Sequence, residues 1–210
     1  MCLIASCQER IETARVKDLR KRVRAAMEWP PVTWECPERI AAEYLHEPLP
    51  VRKARAIALK LSRMPTELWE GQLFAGSMTL EHPRVHAEWG FPDYLTAEEA
   101  AEAQQRGLSI YSVFGHIVPD YPTLLAEGLR GIRADAGAQR PAAQSAEETA
   151  FLDAVCLALD AVIDFAGRLA ARCAAEAAAC SERVRAGELR QMAENLSQVP
   201  ACPAQTCWQA

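Results

Sequence analysis

From Glu147 to Arg185 the chain repeats apolar side chains every three to four residues, and no other stretch restricts the fold as strongly. Val155, Leu159, Val162, Ala166, Leu169 and Cys173 fall on one side of a helix drawn over this span. Asp164, Arg168, Arg172 and Glu176 step along the other at i,i+4. Such a helix would run for about 50 Å at ~1.5 Å per residue, longer than the compact diameter of so small a domain. The spacing therefore predicts a helix that packs against more protein than these 210 residues supply.

The remainder also reads as mostly α, with a little irregular or β connection. Ile11, Val16, Leu19, Val23 and Met27 give residues 8–28 a helical spacing that Trp29-Pro30-Pro31 stops. A second helix is expected from Pro37 to about His46, and a third from about Pro50 to Met64. On the third, Lys53, Arg55 and Lys60 line the wet side, and Ile57 and Leu61 the dry one. Gly71, Gly76, Pro83, Gly90 and Pro92 make 71–96 an irregular connection, with a short strand expected at 72–80. Thr96, with Glu98 and Glu99 behind it, caps a helix over 97–106 that Gly107 ends. A further helix is expected over 122–133. The domain reading is a helical segment over 1–135, a linker over 136–146 and the long helix with its C-terminal extension over 147–210.

Half of the residues are hydrophobic and 24% are charged, which suits a folded globular chain rather than a disordered one. A net charge of −5 from 23 basic and 28 acidic residues argues against a nucleic-acid partner, which calls for a basic patch. No run is apolar for the ~18 residues that a membrane helix needs. Only six residues precede Cys7 in a sequence that imitates a lipoprotein cleavage box, too few for a signal peptide, so a cytoplasmic location is expected. The eight cysteines include no Cys-x-x-Cys pair, which leaves a zinc site from Cys2, Cys7, Cys202, Cys207 and a histidine a remote reading; no metal ligands are assigned. Free thiols in this number call for a reducing or anoxic compartment.

Four segments in order carry a family resemblance: "WECPERIAAEYLHEPLPVRKARAIALKLSRMPTELWEGQLFAGS" at 34–77, "GHIVPDYPTLLAEGLRGI" at 115–132, "FLDAVCLALDAVIDFAGRLAARCAAEAA" at 151–178 and "VPACPAQTCWQA" at 199–210. Together they resemble the N-terminal part of glycyl radical enzymes of the pyruvate formate-lyase-like family. The Gly-His-x-x-Pro-Asp-Tyr segment is the most specific piece. The resemblance implies the N-terminal helical portion of a ten-stranded α/β barrel. It also implies a radical lyase, dehydratase or formate acyltransferase, a protein glycyl radical installed by a radical-SAM activase, a small-molecule substrate and a homodimer. No cofactor is expected to bind this portion itself.

Two family elements have no match here: a radical-bearing Gly in an Arg-Val-x-Gly-aromatic loop, and a thiyl Cys, commonly in Gly-Cys-x-Glu. Cys36-Pro37-Glu38 and Cys180-Ser181-Glu182 spell Cys-x-Glu without the preceding Gly. Arg183-Val184-Arg185-Ala186-Gly187 has one residue too many, and Glu188 stands in the aromatic position. No catalytic residue is therefore assigned, and the chain is expected to be inactive alone. Tyr111, His116 and Asp120 are the candidate substrate-binding residues. A neutral His donates to a hydroxyl or carbonyl, and a carboxylate holds a hydroxyl or cation. Against these roles stand a core Tyr111, a His116 bonded to a backbone carbonyl, and an Asp120 that caps the next helix. A stand-alone helical binding or dimerisation protein, and one half of a split enzyme, are the alternative functions.

Overall fold

A computed structural model describes residues 13–26, 34–75, 91–108 and 119–210. Its helices are α1 (Ala14–Ala26), α2 (Leu49–Arg63), α3 (Ala97–Gln105), α4 (Tyr121–Gln139), α5 (Ala146–Ala179) and α6 (Arg183–Gln198). α5 is the axis of the molecule, with α2, α4 and α6 packed along it. At 34 residues and ~1.5 Å per residue it is about 51 Å long.

The expected helix over 37–46 is replaced by extended backbone and a short 3-10 turn at Ala42–Tyr44. Ile40 N–H donates to the Asp93 carbonyl at 3.0 Å, and Asp93 N–H donates to the Glu38 carbonyl at 2.8 Å. This parallel bridge between Arg39 and Asp93 takes the backbone groups that a helix would have used, so a contact across the chain outweighs the local proline signal. The short strand expected at 72–80 is not seen over 72–75, where the backbone is bend and loop; residues 76–80 lie outside those described. The bridge brings Ile40, Phe91, Tyr94 and Leu95 onto Ala56 of α2 as one buried cluster, in which the Phe91 and Tyr94 rings meet edge-on at 6.0 Å.

α2 lies within a residue of its expected span, with Lys53 exposed and Ile57 packed on the core as expected, while Lys60 departs from the wet side. Arg52, Ala54 and Ala56 are its buried residues. Lys60 is half-buried with its ammonium 5.8 Å from the Phe91 ring centre, and burial lowers its pKa. α3 forms with the expected Thr96 cap, which the structure completes as a capping box: the Thr96 hydroxyl accepts from Glu99 N–H, and the Glu99 carboxylate accepts from Thr96 N–H. Gly107 ends it at φ +63°.

The long apolar repeat divides where one helix to Arg185 was expected. Cys180 leaves helical conformation, and the Glu182 carboxylate accepts the N–H groups of Val184 at 2.8 Å and Arg185 at 2.5 Å to start α6. α6 folds back on α5, so this chain itself covers part of the seam that the sequence left open. The seam sets small side chains of α5 against large ones of α6. Cys173 and Ala177 of α5 close on Leu189 and Met192 of α6 as one buried cluster. Small residues at a crossing let helix axes approach closely. Val162, placed on the dry side by spacing, is exposed. Arg168, placed on the wet side, is half-buried and donates to the Leu61 and Met64 carbonyls at 2.6 and 2.8 Å, satisfying the C-terminal end of α2.

α4 starts at Tyr121 and extends six residues beyond the expected end at Arg133. Residues 136–139, read as connection from composition, complete its last turns, and 140–142 form a 3-10 turn. Inside α4, Gly128 breaks the helix at φ 67°, ψ 175°.

Candidate functional site

Two of the segments that carry the sequence resemblance meet at Gly128. The break there frees the backbone beyond it: Leu129 N–H donates to the Pro200 carbonyl at 2.8 Å, and Arg130 N–H donates to the Ala201 carbonyl at 2.9 Å. The Val199–Pro200 peptide is cis. A Cβ at position 128 would lie 2.6 Å from the Cys202 carbonyl carbon and 2.7 Å from the Ala201 carbonyl oxygen. Only glycine accommodates both this positive φ and this approach. The start of α4 and the 199–202 turn are therefore one joined unit.

At the entrance to that unit Asp120 is exposed and caps α4. Its Oδ1 accepts from Thr123 N–H at 3.2 Å, and its Oδ2 accepts from the Thr123 hydroxyl at 2.7 Å. These bonds, the hydroxyl first, hold its carboxyl below the usual Asp range. Tyr121 and Leu125, on the first turns of α4, are exposed. Tyr111 and His116, the other two candidates, lie outside the described residues, so the structure places one of the three.

The positions that imitate the family's radical residues sit in other settings. Cys36 is buried beside the Arg39–Asp93 bridge, and burial pushes its thiol pKa up. Cys180 caps the end of α5, its thiol directed at the Glu182 carbonyl at 3.6 Å. Gly187 lies inside α6. Of the three, Gly187 is helical, while Cys36 and Cys180 lie in backbone outside the helices. Among the described residues no group of three or more His, Cys, Asp or Glu side chains is arranged to hold a metal ion. No described helix is long and apolar enough to cross a membrane.

A cleft of about 490 Å³ between α1, the 68–71 turn and the α5–α6 turn is lined by Arg15, Trp69, Glu176, Cys180 and Arg185. Two of its guanidiniums converge on one carboxylate. Arg15 forks onto Glu188 at 2.6 and 2.5 Å, and Arg185 donates to Glu188 at 3.2 Å and to the Gln72 carbonyl at 2.7 Å. The Arg15 hydrogen bonds are the main reason the Glu188 carboxyl is held low. The shared Glu188 carboxylate thus joins α1 to α6 across the cleft.

Two structurally decisive residues escaped the sequence reading. Gly128 had a signal, since a glycine inside a helical pattern marks a break or a close approach. Arg52 had none. It is 3% exposed and donates to the Glu99 carboxylate at 2.6 and 2.8 Å, to the Tyr94 carbonyl at 2.8 Å and to the Glu47 carbonyl at 2.8 Å.

Comparison with known proteins places this arrangement. Isethionate sulfite-lyase from Bilophila wadsworthia is 33% identical over 99 residues, which span 44% of this chain and 12% of that protein. The glycerol-bound B12-independent glycerol dehydratase from Clostridium butyricum superposes with a TM-score of 0.75 at 19% identity, over 98% of this chain and 33% of that one. A glycyl radical enzyme from Archaeoglobus fulgidus superposes with a TM-score of 0.63 at 18% identity, over 90% of this chain and 32% of that one. The chain thus spans about a third of these solved enzymes, consistent with their N-terminal helical portion. The family model for pyruvate formate lyase-like proteins matches residues 83–210, and the chain belongs to that family of glycyl radical enzymes.

Proposed function

We propose that residues 1–210 form one wall of the substrate pocket of a glycyl radical lyase or dehydratase, and that the radical chemistry is carried by polypeptide outside them. The family match over 83–210 carries this reading, because it includes the Gly115–Tyr121 segment with His116 and Asp120. Tyr111, His116 and Asp120 are the proposed substrate-facing residues. A carboxylate has about four acceptor sites, and Thr123 occupies two of those on Asp120, so the capping role leaves room for a substrate hydroxyl. The proposed substrate is a small hydroxylated molecule, as glycerol is for the dehydratase that superposes on this chain. The task of such a wall is to orient the substrate and exclude water and oxygen. A radical-SAM activase, a homodimeric assembly and an anoxic cytoplasmic setting belong to the same proposal.

The first test is spectroscopic. Anaerobic treatment of the purified chain with a radical-SAM activase and S-adenosylmethionine is expected to give no glycyl doublet in electron paramagnetic resonance. A doublet mapped to Gly187 would overturn the assignment of the radical to other polypeptide. In a complete enzyme carrying this portion, His116→Ala is expected to leave spin content unchanged and lower turnover roughly 5- to 150-fold, the loss of one orienting hydrogen bond of about 1–3 kcal/mol. Unchanged turnover per spin with a lower melting temperature would assign His116 a structural role instead.

A further inference from the structure

Between α6 and the 73–75 turn lies a cavity of about 210 Å³, separate from the proposed substrate segment. Leu73, Phe74, Met192, Leu196 and Trp208 give it apolar walls, and Asn195 is set among them at 7% exposure. The orientation of the Asn195 amide is fixed by its neighbours. Gln205 N–H donates to Gln209 Oε1 at 2.7 Å, which turns the Gln209 amide nitrogen toward Asn195 Oδ1 at 3.4 Å; Gln191 Nε2 donates to the same oxygen at 3.1 Å. Asn195 Nδ2 is left buried with no acceptor. Buried donors without a partner are uncommon in native folds, and one that persists calls for an acceptor from elsewhere.

The surroundings select the kind of acceptor. No cationic side chain lines the cavity, so a carboxylate would be buried without a counter-charge, whereas a neutral carbonyl meets no such cost. The walls suit an apolar side chain beside that carbonyl, and a carbonyl next to an apolar side chain is a piece of polypeptide. The glycerol dehydratase that covers 98% of this chain has about two thirds of its own length outside the match. We infer that this cavity receives polypeptide from that remaining part of a pyruvate formate lyase-like enzyme, one backbone carbonyl accepting from Asn195 Nδ2 and one apolar side chain seated against the edge-on pair of Phe74 and Trp208. The inference rests on the function proposed above and names the contact by which the two parts join.

The test co-expresses tagged residues 1–210 with the part of the Clostridium butyricum glycerol dehydratase that lies beyond its matched third. The wild-type chain is expected to retain this partner in equal amount. Asn195→Asp keeps the oxygen that takes the two glutamine donors and replaces the orphan donor with a second acceptor, so it is expected to retain roughly tenfold less. Ala75→Phe fills the cavity without altering Asn195 and is expected to show the same loss, which decides the question if Asn195→Asp folds poorly. Retention by both variants at the wild-type level overturns the Asn195 contact and leaves the proposed function standing. Failure of the wild-type chain to retain the partner overturns both.

Discussion

The α2–α3 end of the molecule is pinned by charge, and the α5–α6 end is fitted by shape. At the first, Arg52 ties Glu99 and two backbone carbonyls together inside the protein, while Arg55 pairs with Glu47 and lies 3.8 Å over the Tyr44 ring. At the second, Cys173, Ala177, Leu189 and Met192 close the core, and the ion pair of Arg15 with Glu188 stands at its margin. The difference arises from backbone accounting. Segments 38–40 and 91–96 have little regular structure, so their carbonyls need donors, and a guanidinium brings five N–H groups on one side chain. α5 and α6 satisfy their own backbones along their lengths, which leaves side-chain shape to decide how closely they approach.

The shape-fitted half is expected to break most severely at Gly128. Valine there would have to adopt φ 67° and place its Cβ 2.6–2.7 Å from the backbone of residues 201 and 202. Left-handed backbone costs roughly 1–2 kcal/mol and overpacking about 1–3 kcal/mol, so Gly128→Val is expected to lose about 2–5 kcal/mol. Urea unfolding followed by circular dichroism measures this. A loss below about 1 kcal/mol would show that the 199–202 turn moves freely away from α4.

The charge-pinned half is expected to break next at Arg52. Arg52→Met removes the donors to Glu99, Tyr94 and Glu47 and leaves a carboxylate without its partner. Severing a buried pair costs about 3–5 kcal/mol. Glu99 is 36% exposed at its side chain, so water recovers part of that loss, and about 2–3 kcal/mol is expected. The same pair sets an acid dependence. Hydrogen bonds from Arg52 are the largest cause holding the Glu99 carboxyl at about 2, below its ordinary 4.5. A depressed carboxylate contributes stability that is complete above pH 4.5 and is lost as pH falls toward 2. Arg52→Met is therefore expected to flatten the stability–pH curve across that window, and an unchanged slope would assign the acid sensitivity to other carboxylates.

The contrast also explains what was legible in the sequence. Helices whose signals are local were readable: Thr96 with Glu99 at the start of α3, Gly107 at its end, and the buried side of α5 at Ala166, Leu169 and Cys173. Features set by contacts across the chain were not. Pro37 is a sound helix start by local rules, yet residues 38–40 pair with Asp93, more than fifty positions away. Arg168 sits on a run of charged residues that reads as wet, yet it reaches the end of α2. The end of α5 fell between these cases, since Glu182 is a local cap within a run whose apolar repeat continues past it. For the candidate site, Asp120 was read both as substrate ligand and as cap. The cap is visible because its partner Thr123 is three residues away.

That double reading leads to the smallest effect, on two caps that differ in setting. Thr96→Ala removes the acceptor for Glu99 N–H and half of a capping box that also positions Glu99 for Arg52, so about 1 kcal/mol is expected to be lost. Asp120→Ser keeps an oxygen for Thr123 N–H and gives up the bond from the Thr123 hydroxyl at an exposed site. A smaller change than that of Thr96→Ala is expected in the melting temperature of the isolated chain. Because serine preserves the cap, Asp120→Ser separates structure from chemistry where alanine would merge them. In a complete enzyme carrying this portion, a proposed substrate-facing carboxylate requires turnover per spin to fall while melting stays nearly constant. Melting and turnover that both stay at their wild-type values would leave Asp120 as a cap alone and shift the proposed contact to His116.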